Sequence, residues 1–225
     1  FPKFLSRTFA PNMENKDNKD TSKQIMRRAE SLFMRYGIKS VSMDDIAREL
    51  GISKKTLYQF FENKEDLILR TIESHLHDEV CDMDLIQAGA ANALQEIMLL
   101  ARHIIGQFQE LTPSVVYDLK KYYPEAWGMI DKMQREHVYQ SILDNLKRGI
   151  TEGDYRKDLN PEIMARLHVG SLYLPIDQSL FPVREFQLDQ VFKEYIYHFV
   201  RGVASEQGLD KMTKYLQEAK AAAGG

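Results

Sequence analysis

VSMDDIARELGISKKTLYQFFENKEDL, residues 41–67, decides the fold of this chain. Ser42, followed three residues later by Asp45, predicts a helix N-cap with an acidic group placed to bond back to it. Ile46, Ala47 and Leu50 then supply one buried face. Gly51 stops the helix, since glycine enters the left-handed conformation that ends a helix at little cost. Ser53 caps a second short helix, over 54–61, in which Leu57 and Phe61 face inward and Lys54, Lys55, Thr56, Tyr58 and Gln59 stay polar. Asn63, with Asp66 three residues on, caps a further helix carrying Leu67, Ile68 and Ile72. Two short helices about a glycine turn, the second basic and aromatic-tipped, predict a helix-turn-helix, whose second helix inserts its N-terminal residues into the major groove.

Working outward, Ile25, Ala29, Leu32, Phe33 and Tyr36 recur at steps of three and four, so a helix precedes the motif and Gly37 ends it. Residues 1–20 lack that periodicity and hold a charged run from Glu14 to Asp20. They are expected to be a disordered or extension N-terminal arm. Met13 offers a natural start, which would make residues 1–12 an upstream extension; a basic arm reaching a minor groove is the alternative.

The segment 41–67, with the match reaching back to about Lys23, closely resembles the DNA-binding head of the tetracycline-repressor (TetR) family. The resemblance implies an all-α, homodimeric transcription regulator. Its N-terminal three-helix head would bind a palindromic double-stranded DNA operator, and a fourth helix would lead into a C-terminal bundle that binds a small effector and dimerises. Carried over position by position, it assigns phosphate contacts to Ser42, Thr56, Tyr58 and Lys64. Lys54 and Lys55 are candidates for base edges, with guanine O6 and N7 as natural acceptors. The chain departs from the family pattern after Tyr58. Many members place tyrosine and then histidine or tyrosine where Gln59 and Phe60 stand here, so Gln59 could pair bidentately with adenine and Phe60 is expected to cover the core beside Phe61.

Charge divides the chain in the same place. The 225 residues carry a formal net charge of -3, which by itself argues against a nucleic-acid partner. Residues 1–70, however, hold 14 Lys+Arg against 10 Asp+Glu, and the remainder holds 16 against 23. A positive head on an acidic body fits a protein that touches a polyanion at one end only. The expected domains are therefore a helix-turn-helix DNA-binding domain over 21–68 and an effector-binding and dimerisation domain over 69–225.

In the body, helical spacing predicts helices over 90–111, 113–121, 124–149, 161 to about Pro175, and 186–203, with a frayed tail from Ala219. By position, 161–180 and 187–204 match the family's dimerising helices. Aromatic, methionine and isolated polar residues of the middle helices are the effector-binding candidates: Met98, His103, Phe108, Tyr117, Trp127, Tyr139, His168 and Tyr173. Tyr122 and Met129 have the same character. They suggest a moderately sized, largely apolar or aromatic effector, although such spacing also builds ordinary core.

Other chemistry finds little support. His77 and Cys81 share a helix face, but nothing nearby completes a zinc site of three or four ligands. No phosphate loop, nucleophile elbow or HExxH pattern occurs, so no enzyme and no cofactor is expected. One cysteine fits a reducing, cytoplasmic compartment. The longest aliphatic run, from Ile97 to Ala101, is far short of the roughly 20 residues a membrane span needs. A repressor released by a small molecule is the expected function. The alternative is a protein-interaction module with weak or non-selective DNA binding and no effector.

Overall fold

A computed structural model describes residues 15–108 and 112–223. Among them the chain is helical throughout, with one isolated antiparallel bridge, Tyr155 to Ala204. It divides into two compact units, Phe1–Thr71 and Ile72–Gly225.

The first unit is built from α1 (Asn15–Tyr36), α2 (Met43–Leu50), α3 (Lys54–Phe60) and the opening of α4 (Lys64–Gly89). Helix α1 starts inside the stretch read as non-helical from sequence, so residues 15–20 belong to it. Once a helix is nucleated, each added residue gains a backbone bond without needing an apolar face. Residues 1–14 of the expected arm lie outside the described residues. Ile25, Ala29 and Phe33 of α1 are buried, as are Ile46, Ala47, Leu57, Phe61 and Leu67. Each comes from the face that the three- and four-residue spacing marked.

The second unit continues with α5 (Ala93–Phe108), α6 (Pro113–Tyr122), α7 (Pro124–Met133), α8 (Tyr139–Glu152), α9 (Pro161–Ser171), α10 (Leu188–Val203) and α11 (Glu206–Ala223). Helices α5, α8 and α10 surround a core that includes Leu94, Ile97, Leu146, Phe192, Ile196 and Val200. Two features depart from the sequence reading. The single helix expected over 124–149 is α7 and α8 joined by one wider π-helical turn, Gln134–Val138. Helix α11 was not anticipated, because its one buried core residue, Met212, gives little periodic signal.

Helix α9 stops at Ser171, before Pro175, and Leu174–Ile176 form a short 3-10 turn. Proline has no N–H to return to the carbonyl of residue 171, and its ring crowds that same carbonyl. Phe192, Ile196, Phe199 and Val200 of α10 are packed within the subunit.

Candidate nucleic-acid interface and body cavity

The head positions its polar residues through local caps. Ser42 Oγ accepts from the Asp45 N–H at 3.2 Å, while the Ser42 N–H donates to Asp45 Oδ2 at 2.9 Å. The Ser42 hydroxyl also donates to Asp45 Oδ2 at 2.6 Å, and this bond, followed by that from the Ser42 N–H, holds the Asp45 carboxyl below its usual range. Gly51 follows with φ of 64°, and its N–H reaches back to the α2 carbonyls. Ser53 Oγ accepts from the Thr56 N–H at 3.0 Å and starts α3. Asn63 Oδ1 accepts from the Asp66 N–H at 2.9 Å and starts α4.

Helix α3 thus presents Lys54, Lys55, Tyr58 and Gln59 to solvent, with Leu57 wholly buried beneath them. Tyr58 is 43% exposed, enough for both its ring edge and its hydroxyl to meet a partner. Thr56 is half-buried, and its hydroxyl lies 2.8 Å from that of Ser53. Phe60 is half-buried beside the fully buried Phe61.

Two basic side chains are already engaged. Lys54 Nζ meets Asp44 Oδ1 at 2.8 Å, and this bond raises the ammonium's pKa. Lys64 Nζ donates to the Ile38 carbonyl at 2.6 Å, tying the start of α4 to the loop after α1.

Sequence reasoning missed Arg70. Its Nη1 donates to the Phe60 carbonyl at 2.7 Å, its Nη2 to Ser22 Oγ at 3.3 Å, and its guanidinium stacks 4.6 Å from the Phe61 ring centre. One side chain therefore anchors the end of α3 to both α1 and α4. Only the approach of residues distant in sequence reveals it.

The pattern of the family described as bacterial regulatory proteins, tetR family, matches residues 25–71, the same helices. Over these residues the chain is similar to the DNA-binding head of that family. Along most of its length it is similar to the HTH-type transcriptional regulator YvaF of Bacillus subtilis, 22% identical over 84% of this chain and 98% of the relative. A second relative, the HTH-type transcriptional repressor KstR2 of Mycolicibacterium smegmatis, is 22% identical over 82% of this chain and 91% of its own. The fold matches that of a transcriptional regulator from Saccharomonospora viridis solved in complex with choline. That match has a TM-score of 0.65 at 18% identity and covers 84% of this chain and all of the other.

The body holds a cavity of about 210 Å³ between α4, α5, the π-helical turn, α9 and α10. Ile97, Leu100, Ile104, Ile142, Phe192 and Ile196 form much of its wall. Of the effector candidates, His168 lines it directly. Burial pushes the His168 imidazole down to about 4, so the ring is neutral at pH 7. It stacks on Tyr195, whose hydroxyl lies 3.2 Å from His168 Nδ1. His103 sits beside the cavity through Glu79, its Nε2 being 3.3 Å from Glu79 Oε2.

The other candidates lie elsewhere. Met98 faces a separate groove with Tyr197 and Tyr215. Tyr139 and Tyr173 line an open, polar pocket with Arg135 and Arg166. Trp127 packs on Tyr173 at 5.0 Å, with the Lys120 ammonium over both rings. Tyr117 is exposed. The side chain of Phe108 lies outside the described residues. Among the described residues no helix is long and apolar enough to cross a membrane, and no group of three His, Cys, Asp or Glu side chains is placed to hold a metal.

Proposed function

We propose that this regulator is a repressor whose two heads, in a homodimer, bind a palindromic DNA operator and are released when a small molecule enters the body. The observation that carries the reading is α3, with four exposed polar side chains at its outer face and Leu57 buried behind them. In this reading residues 21–68 are the DNA-binding domain and 69–225 the effector and dimer domain. Ser42, Thr56 and Tyr58 meet phosphates, while Lys54, Lys55 and Gln59 read or border base edges. Lys64, which donates to the Ile38 carbonyl, stands beside the DNA backbone in this reading.

The dimer face is best supported on α9. Ile163 and Leu167, one helical turn apart, are 55% and 60% exposed, and Leu174 beyond them is also open. Apolar side chains clustered this way on a helix favour a covering partner. The cavity supports the effector, which acts by binding the DNA-incompetent conformation more tightly than the competent one. The choline complex of the structural neighbour and the repressor relative fit the same scheme.

Titration of the purified protein against genomic fragments tests it. Saturable, sequence-selective retention of one fragment is expected, with loss of about tenfold or more in Tyr58→Ala across sequences and altered base preference in Gln59→Ala. Purely salt-driven, non-selective binding would identify a protein-interaction module instead. Ile163→Asp should yield monomers by light scattering. A monomeric parent protein would remove the dimer from the scheme.

A further inference from the structure

The cavity in the body has a polar side that its apolar wall does not explain. Glu79 of α4 lies there with its side chain only 9% exposed. Its Oε2 accepts from Gln107 Nε2 at 2.5 Å and lies 3.3 Å from His103 Nε2. The neighbouring π-helical turn contributes Gln134, whose Oε1 is buried with no hydrogen-bond partner. Among the described residues no lysine or arginine lines the cavity. Its two histidines are His75 and His168, and the latter is held neutral among aromatic rings.

A buried carboxylate is costly unless a cation or several donors meet it, and an unpaired buried carbonyl adds a second unmet acceptor. The site therefore presents a buried carboxylate and an unmet carbonyl oxygen, and a protonated amine supplies the charge and donors that satisfy both. A ligand carboxylate would instead meet Glu79 as a like charge in a poorly solvated space. At about 210 Å³, the cavity is below the roughly 300–1,000 Å³ of common ligand pockets, which favours a compact molecule.

Resting on the effector reading above, we propose that the cavity takes a small lipophilic amine. Its hydrocarbon body packs against Ile97, Leu100, Ile104 and Phe192, its protonated nitrogen bonds the Glu79 carboxylate, and Gln134 Oε1 serves as a further acceptor.

Calorimetric titration of the full-length protein at pH 7.5 with octylamine, octan-1-ol and octanoate tests this. Octylamine should bind at least tenfold more tightly than octanoate, and more tightly than octanol. Glu79→Gln should weaken octylamine at least tenfold while leaving octanol within about twofold, and Gln134→Leu should weaken octylamine several-fold. Ile104→Trp, which fills the cavity, should abolish binding of all three. Equal or tighter octanoate binding, octylamine affinity unaffected by Glu79→Gln, or binding of none of the three overturns the proposal. If Glu79→Gln does not fold, the order of the three ligands on the parent protein decides alone. Octanol binding without amine preference removes the amine class and leaves the effector reading intact. Amine binding that never releases the DNA fragment removes the effector reading and leaves the amine site intact.

Discussion

Lys54, at the first turn of the exposed helix, is held by Asp44 of the preceding helix, Nζ to Oδ1 at 2.8 Å. A lysine offered to DNA is thus neutralised in advance by a carboxylate on the same surface. Removing that carboxylate should release the ammonium and delete a charge that repels phosphates. Asp44→Asn is expected to raise operator affinity about three- to tenfold at low salt and to steepen the salt dependence, by about one ion when log affinity is plotted against log salt. Fluorescence anisotropy across a salt series measures both, and an unchanged slope would place Lys54 away from the DNA.

Arg70 should matter to the head without touching DNA. Its bonds to the Phe60 carbonyl and Ser22, and its stacking on Phe61, predict that Arg70→Ala lowers head stability by about 1–2 kcal/mol. Arg70→Lys should recover less than half, because one ammonium cannot reproduce the planar fork that spans both acceptors. Thermal unfolding of the two variants gives the comparison.

Tyr155 packs directly against Gly149, so that a β-carbon there would fall 2.2 Å from Tyr155 Cδ2. The ring cannot retreat, being 1% exposed and bonded through its hydroxyl to Asn145 Oδ1 at 2.9 Å. Gly149→Ala should therefore destabilise the body by about 1–3 kcal/mol, despite alanine's higher helix propensity. Urea denaturation that instead showed a gain would mean the ring can shift.

His168 makes stability depend on pH. The folded state holds the imidazole neutral down to about 4, while the unfolded chain takes up its proton near 6.5. Its contribution is complete above pH 6.5, declines as pH falls toward 4, and changes no further once both states are protonated. The full loss is about 3 kcal/mol at most. Unfolding free energies at pH 8, 6, 5 and 4 should follow that course, and His168→Gln should flatten it.

The head was legible in the sequence because its signals are local. Ser42, Gly51, Ser53 and Asn63 act on backbone groups within a few residues, and each takes the capping or turn role its spacing implied. Contacts made over longer separations were not legible. The Lys64 bond to Ile38 joins residues 26 apart, and Gln107 reaches Glu79 across 28. No periodicity marks such pairs in a single chain. The effector candidates illustrate the same limit. Aromatic character selected Trp127, Tyr139 and Tyr173, which face a polar pocket or each other, whereas the cavity is walled mainly by aliphatic side chains that resemble any core. Glu79 escaped notice because a lone acidic residue on a helix usually faces solvent.

The wider turn at Gln134–Val138 sets the phase between α7 and α8. A π-helical turn is equivalent to one residue inserted into an otherwise continuous α-helix, and its wider winding absorbs that residue so that the flanking segments keep their phase. Deleting a single residue between 134 and 138 would restore the ordinary winding, leave Ile130 and Met133 of α7 facing the cavity, and narrow the turn that places Gln134 and Val138 in its wall. The shape of the ligand chamber thus depends on the length of the chain at one turn as much as on the side chains that line it.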